Sequence, residues 1–347
     1  MRRPPRPVLA VAAGLFVALA ALAVGGALGD DGAEVATRAG DRWNLALVGV
    51  PAAWATTRGA GTTVAVVDTG VDRRHPDLVG RIAGTVDCVG AEGDPDRCRP
   101  GGDSDRDGHG THVAGLVAAA TPGGGVVGVA PAARLLAVRA LVPAACARRP
   151  CGATGRGADV AAGLRWAVRE GADVVNLSLG AGAGGTDGAL LAAIDEAWGA
   201  GVVVVVAGPT GRVRTDVGDA PAVVVTAVGA DGQAAPYATG VGGARWALAA
   251  PGGTARAPTG DGCRGDDAVL SAVPVPGGRS TAHGCLVGTS MAAPHVAGAA
   301  ALLRATGLSA RAAVDRLLAT AADRGPVGPD PTYGAGLLDV AAAVAGR

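Results

Sequence analysis

The stretch ADVAAGLRWAVREGADVVNLSLG, residues 158–180, sets a helical pattern directly against a strand pattern. In its first part apolar residues recur at intervals of three and four, the period of a helix with one buried face. Gly171 closes that part, as glycines commonly close helices. DVVNL (173–177) then runs almost continuously apolar and β-branched, which suits a strand buried on both faces of a parallel sheet. The same alternation extends outward. TVAVV (63–67), RLLAVR (134–139), VVVVV (202–206) and AVVVTAV (222–228) read as further buried strands. THVAGLVAAA (111–120) and GALLAAIDEAWGAG (188–201) read as helices. Strand, helix, strand, helix predicts an α/β fold: a doubly wound, mostly parallel sheet with helices on both faces.

The chain has 347 residues, of which 49% are hydrophobic and only 2% aromatic, so its core must be packed from Ala, Val and Leu. There is no Lys; every long cation is Arg, and the formal net charge is zero. With no block of like charge and no aromatic stacking platform, a nucleic-acid surface is excluded. MRRPPRP followed by VLAVAAGLFVALAALAVGGAL (8–28) is a basic start and an apolar run. It reads as an export signal over 1–29, cleaved after Gly29, or as a retained membrane anchor. Residues 30–50 form a short arm whose WNLALVGVPAAW packs on the main domain, 51–347. Gly/Pro-rich segments near 91–104 and 251–280 are long loops, and there is no internal repeat.

Export favours disulfides. Six cysteines allow 15 pairings. The simplest joins sequence neighbours: Cys88–Cys98, Cys146–Cys151 and Cys263–Cys285. No CxxC and no interleaved His supports zinc held by these thiols.

Three segments carry chemistry. In VAVVDTGVD (64–72), Asp68 follows a buried strand, where crevices form at the carboxyl ends of open α/β sheets. Alone, it would read as an Asp that ends a strand in a turn. In DGHGTHVAG (107–115), His109 sits between two glycines at a helix start, which suits a general base. His112 reads as a core histidine. In GTSMAAPHVAGAAALL (288–303), Ser290 precedes a small, apolar helix whose N-terminus offers N–H groups to negative charge. Alone, it would be a helix cap; His295, one turn inside, reads as structural. Together they supply the nucleophile, base and orienting carboxylate that serine catalysis requires.

The three blocks DTG, GHGTHVAG and GTSMAAPHVAG resemble the subtilisin-like serine proteases, the subtilases, over residues about 43–347. The resemblance implies a serine endopeptidase acting on peptide or protein substrates, with Asp68, His109 and Ser290 as the triad. It implies that Ser178, Leu179 and Gly180 in NLSLG (176–180) line the cleft and pair with an extended peptide. ALAAPGG (247–253) resembles a structural segment before the serine loop. In the family a strand like VVVVVAG (202–208) ends in Asn, whose amide donates to the oxyanion. Here Pro209 stands at that place, with no side-chain donor and no N–H. The Ser290 N–H remains as the other donor. Thr210 and Asn176 are candidate substitutes, Asn176 more as a support of the cleft. About fourteen residues separate the apolar run from Trp43, too few for a folded inhibitory segment. That short arm gives some resemblance to the mycosins, actinobacterial subtilases, although YGAGLLDVAAAVAGR at the end is too short to span a membrane. No cofactor is required by this chemistry. Calcium is a candidate at Asp103, Asp105 and Asp107, against the plainer reading of a polar loop, since no Glu closes an EF-hand pattern.

Overall fold

The computed structural model describes residues 16–18, 42–120, 125–144, 152–181, 187–211, 215–254, 268–274 and 283–346. The valine runs form strands because β-branched side chains fill both faces of the sheet. The strands are β1 (Phe16–Ala18), β2 (Thr63–Asp68), β3 (Ile82–Asp87), β4 (Arg134–Arg139), β5 (Val142–Pro143), β6 (Ala153–Arg156), β7 (Val174–Leu177), β8 (Gly180–Ala181), β9 (Val203–Ala207), β10 (Ala222–Val228), β11 (Trp246–Pro251), β12 (Val269–Ala272) and β13 (His283–Leu286). The helices are α1 (Trp43–Leu47), α2 (Val50–Ala53), α3 (His109–Ala118), α4 (Gly157–Arg169), α5 (Gly188–Gly199), α6 (Thr289–Ala305), α7 (Ala310–Ala319) and α8 (Val340–Ala345).

Seven strands form the main sheet in the order β11-β10-β9-β7-β2-β4-β3, and every neighbouring pair is parallel. Alternate side chains feed two cores. Val64, Val66, Val203 and Val205 join α3, α6, α7 and α8 on one face; Ala65, Val67, Val204 and Val206 join α4 and α5 on the other. The arm residues Leu45 and Val48 are buried in the first core. Gly171 and Gly201, at φ +78° and +79°, end α4 and α5 in the left-handed conformation that costs glycine little.

Two sheet strands escape the sequence reading, and both are edges. β3 carries Gly84 and is largely half-exposed, and its register shifts between Ile82 and Gly84. Half of β11 is alanine. Two helix starts also differ from expectation: α3 begins at His109 and α6 at Thr289, so both His109 and Ser290 lie inside the first turn rather than before it.

A second sheet, ordered β5-β6-β1-β8, lies outside the main one. In it β1, from the apolar N-terminal run, pairs antiparallel with β6 on one side and β8 on the other. Cys88–Cys98 is formed, and Cys285 is disulfide-bonded. Cys146, Cys151 and Cys263 lie outside the described residues, as do all but three residues of the expected export signal. No helix among the described residues is long and apolar enough to cross a membrane.

Candidate active site

Strands β9, β7 and β2 are adjacent and parallel, so their carboxyl ends open on one crevice. β2 ends in Asp68, β7 leads into Ser178, and β9 leads into Gly208 and Pro209. Helix α3 reaches this edge closely because Gly110 has no Cβ; one there would collide with the Gly70 carbonyl oxygen.

His109 Nδ1 lies 2.8 Å from Asp68 Oδ1 and 3.0 Å from Oδ2, with both side chains almost wholly buried. The carboxylate therefore holds the Nδ1–H tautomer and leaves the lone pair on Nε2. Nε2 is buried and has no hydrogen-bond partner among the described residues. Burial lowers the His109 pKa, but the charge and hydrogen bond of Asp68, with Asp107 and Asp105 behind, outweigh it and hold the pKa above the ordinary 6.5. Asp68 is itself pinned by the Thr69 N–H at 2.7 Å.

Ser290 is 7% exposed. Its hydroxyl donates to the Ser178 carbonyl at 3.2 Å rather than to His109. The Ser178 hydroxyl donates to the Ser290 carbonyl, and Asn176 Nδ2 donates to the Ser178 hydroxyl, each at 2.8 Å. Asn176 thus spends its amide on the support of the cleft. As a first-turn residue of α6, Ser290 has an N–H without an intrahelical acceptor.

Sequence reasoning missed the group that joins these parts. Asp105 accepts the Thr69 hydroxyl (2.9 Å), the Thr111 hydroxyl (2.8 Å) and the N–H groups of Asp107, Gly108 and Thr111 (2.8–3.0 Å). Thr69 Oγ1 accepts the Gly110 N–H in turn. One buried carboxylate therefore locks the loop after Asp68 to the first turn carrying His109. Asp105 lies three residues before Gly108, the N-cap of α3, so no capping pattern in the sequence marked it. Calcium at Asp103, Asp105 and Asp107 does not fit this arrangement. Asp103 points to Arg73 at 3.8 Å and Asp105 is saturated by protein donors.

The other histidines are structural. His112 Nε2 meets the carbonyls of Val269 and Gly284, and burial drives its pKa to about 3. His295 bridges Met291 O and Asn44 Nδ2, and burial takes its pKa to about 4.

Pro209 and Thr210 are half-buried beyond β9. The Gly208 carbonyl accepts the Thr289 hydroxyl at 2.8 Å, and the Pro209 carbonyl accepts the Thr239 N–H. β8 continues NLSLG, and β6, which the sequence reading did not identify, is the other neighbour of β1 in the second sheet. β6 is short and contains Gly155, so it carries no strand signal. Gly180 pairs with Ala18, while Ser178 is committed to Ser290 and Leu179 to the core.

The family model described as Subtilase family (peptidase S8) matches residues 59–336. The chain is 36% identical over 293 residues to subtilisin DY of Bacillus licheniformis, covering 82% of this chain and 92% of that protein. It is 35% identical over 272 residues to thermitase of Thermoactinomyces vulgaris, covering 76% and 84%. A solved protease structure from Pseudoalteromonas arctica PAMC 21717 superposes with a TM-score of 0.69 at 31% identity, covering 88% of this chain and 97% of that one.

Proposed function

The chain belongs to the subtilase family and is a subtilisin-like serine endopeptidase, and we propose that it is an exported one whose turnover is limited by Pro209. His109 Nε2 takes the proton of the Ser290 hydroxyl as Oγ attacks a peptide carbonyl. Asp68 holds the imidazolium. His109 then protonates the leaving amine, and water hydrolyses the acyl-enzyme by the reverse sequence. The observation that carries this reading is the buried Asp68–His109 pair, whose Nε2 lone pair has no competing donor. The pairing of β1 between β6 and β8 supports a cleft that takes an extended chain as a middle strand.

The oxyanion has the Ser290 N–H at the α6 terminus. Pro209 supplies neither amide nor N–H. Loss of one such donor costs roughly 10²–10³ in kcat, a magnitude measured on a subtilisin, a relative of this chain. Pro209 also favours a second reading: a catalytically weak subtilase acting as a peptide-binding or scaffold protein in the cell envelope.

Peptide hydrolysis and fluorophosphonate labelling of the parent, Ser290→Ala and Pro209→Asn separate the two. Hydrolysis and labelling lost in Ser290→Ala are expected of the enzyme. Absence of labelling in folded parent protein would sink it. A silent parent awakened by Pro209→Asn would make the natural protein a peptide binder.

A further inference from the structure

At the far end of α3 from His109, a second cluster of ionisable side chains is buried. The ten residues of α3 rise about 1.5 Å each, so about 15 Å separates that end from the triad histidine. The Asp77 carbonyl accepts the Ala120 N–H there, just past the helix. His75 and Asp77 are 1% and 0% exposed. His283, the first residue of β13, brings its Nε2 to 2.7 Å from Asp77 Oδ2. The rings of His75 and His283 lie 5.8 Å apart. One ligand atom from each of the three residues falls within 4.8 Å of the other two, and no other group of described His, Cys, Asp or Glu residues gathers this way. Gly125 leaves room for the carboxylate, since a Cβ there would strike it.

The donor set selects the ion. Calcium takes six to eight oxygens, and this group offers one carboxylate. Two imidazole nitrogens and a carboxylate suit a borderline ion such as Zn2+, with bonds of about 2.0–2.2 Å. We propose that His75, Asp77 and His283 form a site for a divalent transition-metal ion of the Zn2+ class. The ion would pin the β12–β13 ribbon to the His75–Asp77 turn. Tetrahedral bonds of that length put ligand atoms about 3.3 Å apart, so small side-chain rotations bring the three together. Binding exchanges existing contacts for metal bonds. The ion replaces the contact between His283 Nε2 and Asp77 Oδ2, and it competes with the Asp77 N–H that His75 Nδ1 accepts at 3.1 Å. The distance from His109 makes the role structural, and the proposal does not depend on the peptidase reading.

The test uses the full chain, stripped with chelator and titrated with Co2+ and then Zn2+. The expected result is one equivalent of Co2+ with visible absorption that Zn2+ abolishes and millimolar Ca2+ leaves intact. Zn2+ in excess should raise the thermal midpoint. His75→Gln and His283→Gln should each lose the absorption and the thermal shift while far-UV circular dichroism is retained. His283→Gln changes a partly exposed position, so it keeps the test open if His75→Gln does not fold. No saturable Co2+ absorption would overturn the proposal and leave a plain His283–Asp77 ion pair. So would binding that survives both substitutions.

Discussion

Asp68 and His109 were legible as residue types in place because each stands at an element boundary, where side chains reach a crevice. What sequence could not supply is their environment. His109 loses solvation yet gains three neighbouring carboxylates, and the balance lifts its pKa above 6.5. A base must be unprotonated to act, so kcat/KM should climb with pH through a value above 6.5 and be lost below it. His112 and His295, held down at about 3 and about 4, add no limb near neutrality. A pH–rate profile checks this. Pro209 is the opposite case: its covalent structure alone removes both a side-chain donor and an N–H. Pro209→Asn should raise kcat by about 10² with little change in KM, read from steady-state kinetics.

Helix α3 was readable by its period, but its start was placed two residues late. Gly108 and Gly110 have low helix propensity, so the expected boundary moved past them. Tertiary contact decides otherwise: Asp105 ties the first turn to the loop after Asp68. Asp105→Asn keeps the size but removes the charge and some acceptor capacity. It should lower kcat about tenfold while sparing KM, because a loosened base is a misplaced one. The acid limb of kcat/KM should also move down, since Asp105 is among the charges that raise His109. A purely structural loss would leave that limb in place. Strands β6 and β8, which flank β1, were only half visible. NLSLG marks β8 by resemblance, whereas β6 has no β-branched run and forms by pairing with its neighbours.

The sheet was legible where strands are buried on both faces and illegible at its rims. Five valine- and leucine-rich runs became the five inner strands, and β3 and β11 needed only one neighbour each and so little β propensity. Of the expected cystine set, Cys88–Cys98 closes a loop of ten residues of separation beside the rim strand β3. Chain-entropy loss for so short a loop gives about 3 kcal/mol. The double change Cys88→Ala, Cys98→Ala should cost about that much, measured by urea unfolding. The three-residue strand β1 carries a kinetic expectation. Because β1 belongs to the same chain as β6 and β8, its pairing with them is intramolecular and does not weaken on dilution. On the proposed function, in which these strands take the substrate chain, a protein that keeps this segment would carry its own competitive ligand. Val17→Pro, which removes the N–H of the residue paired to both Gly155 and Ala181, should raise kcat/KM at low substrate and leave kcat unchanged at saturation. Progress curves at several protein concentrations check this, because an intramolecular competitor gives curves that scale and an intermolecular one does not.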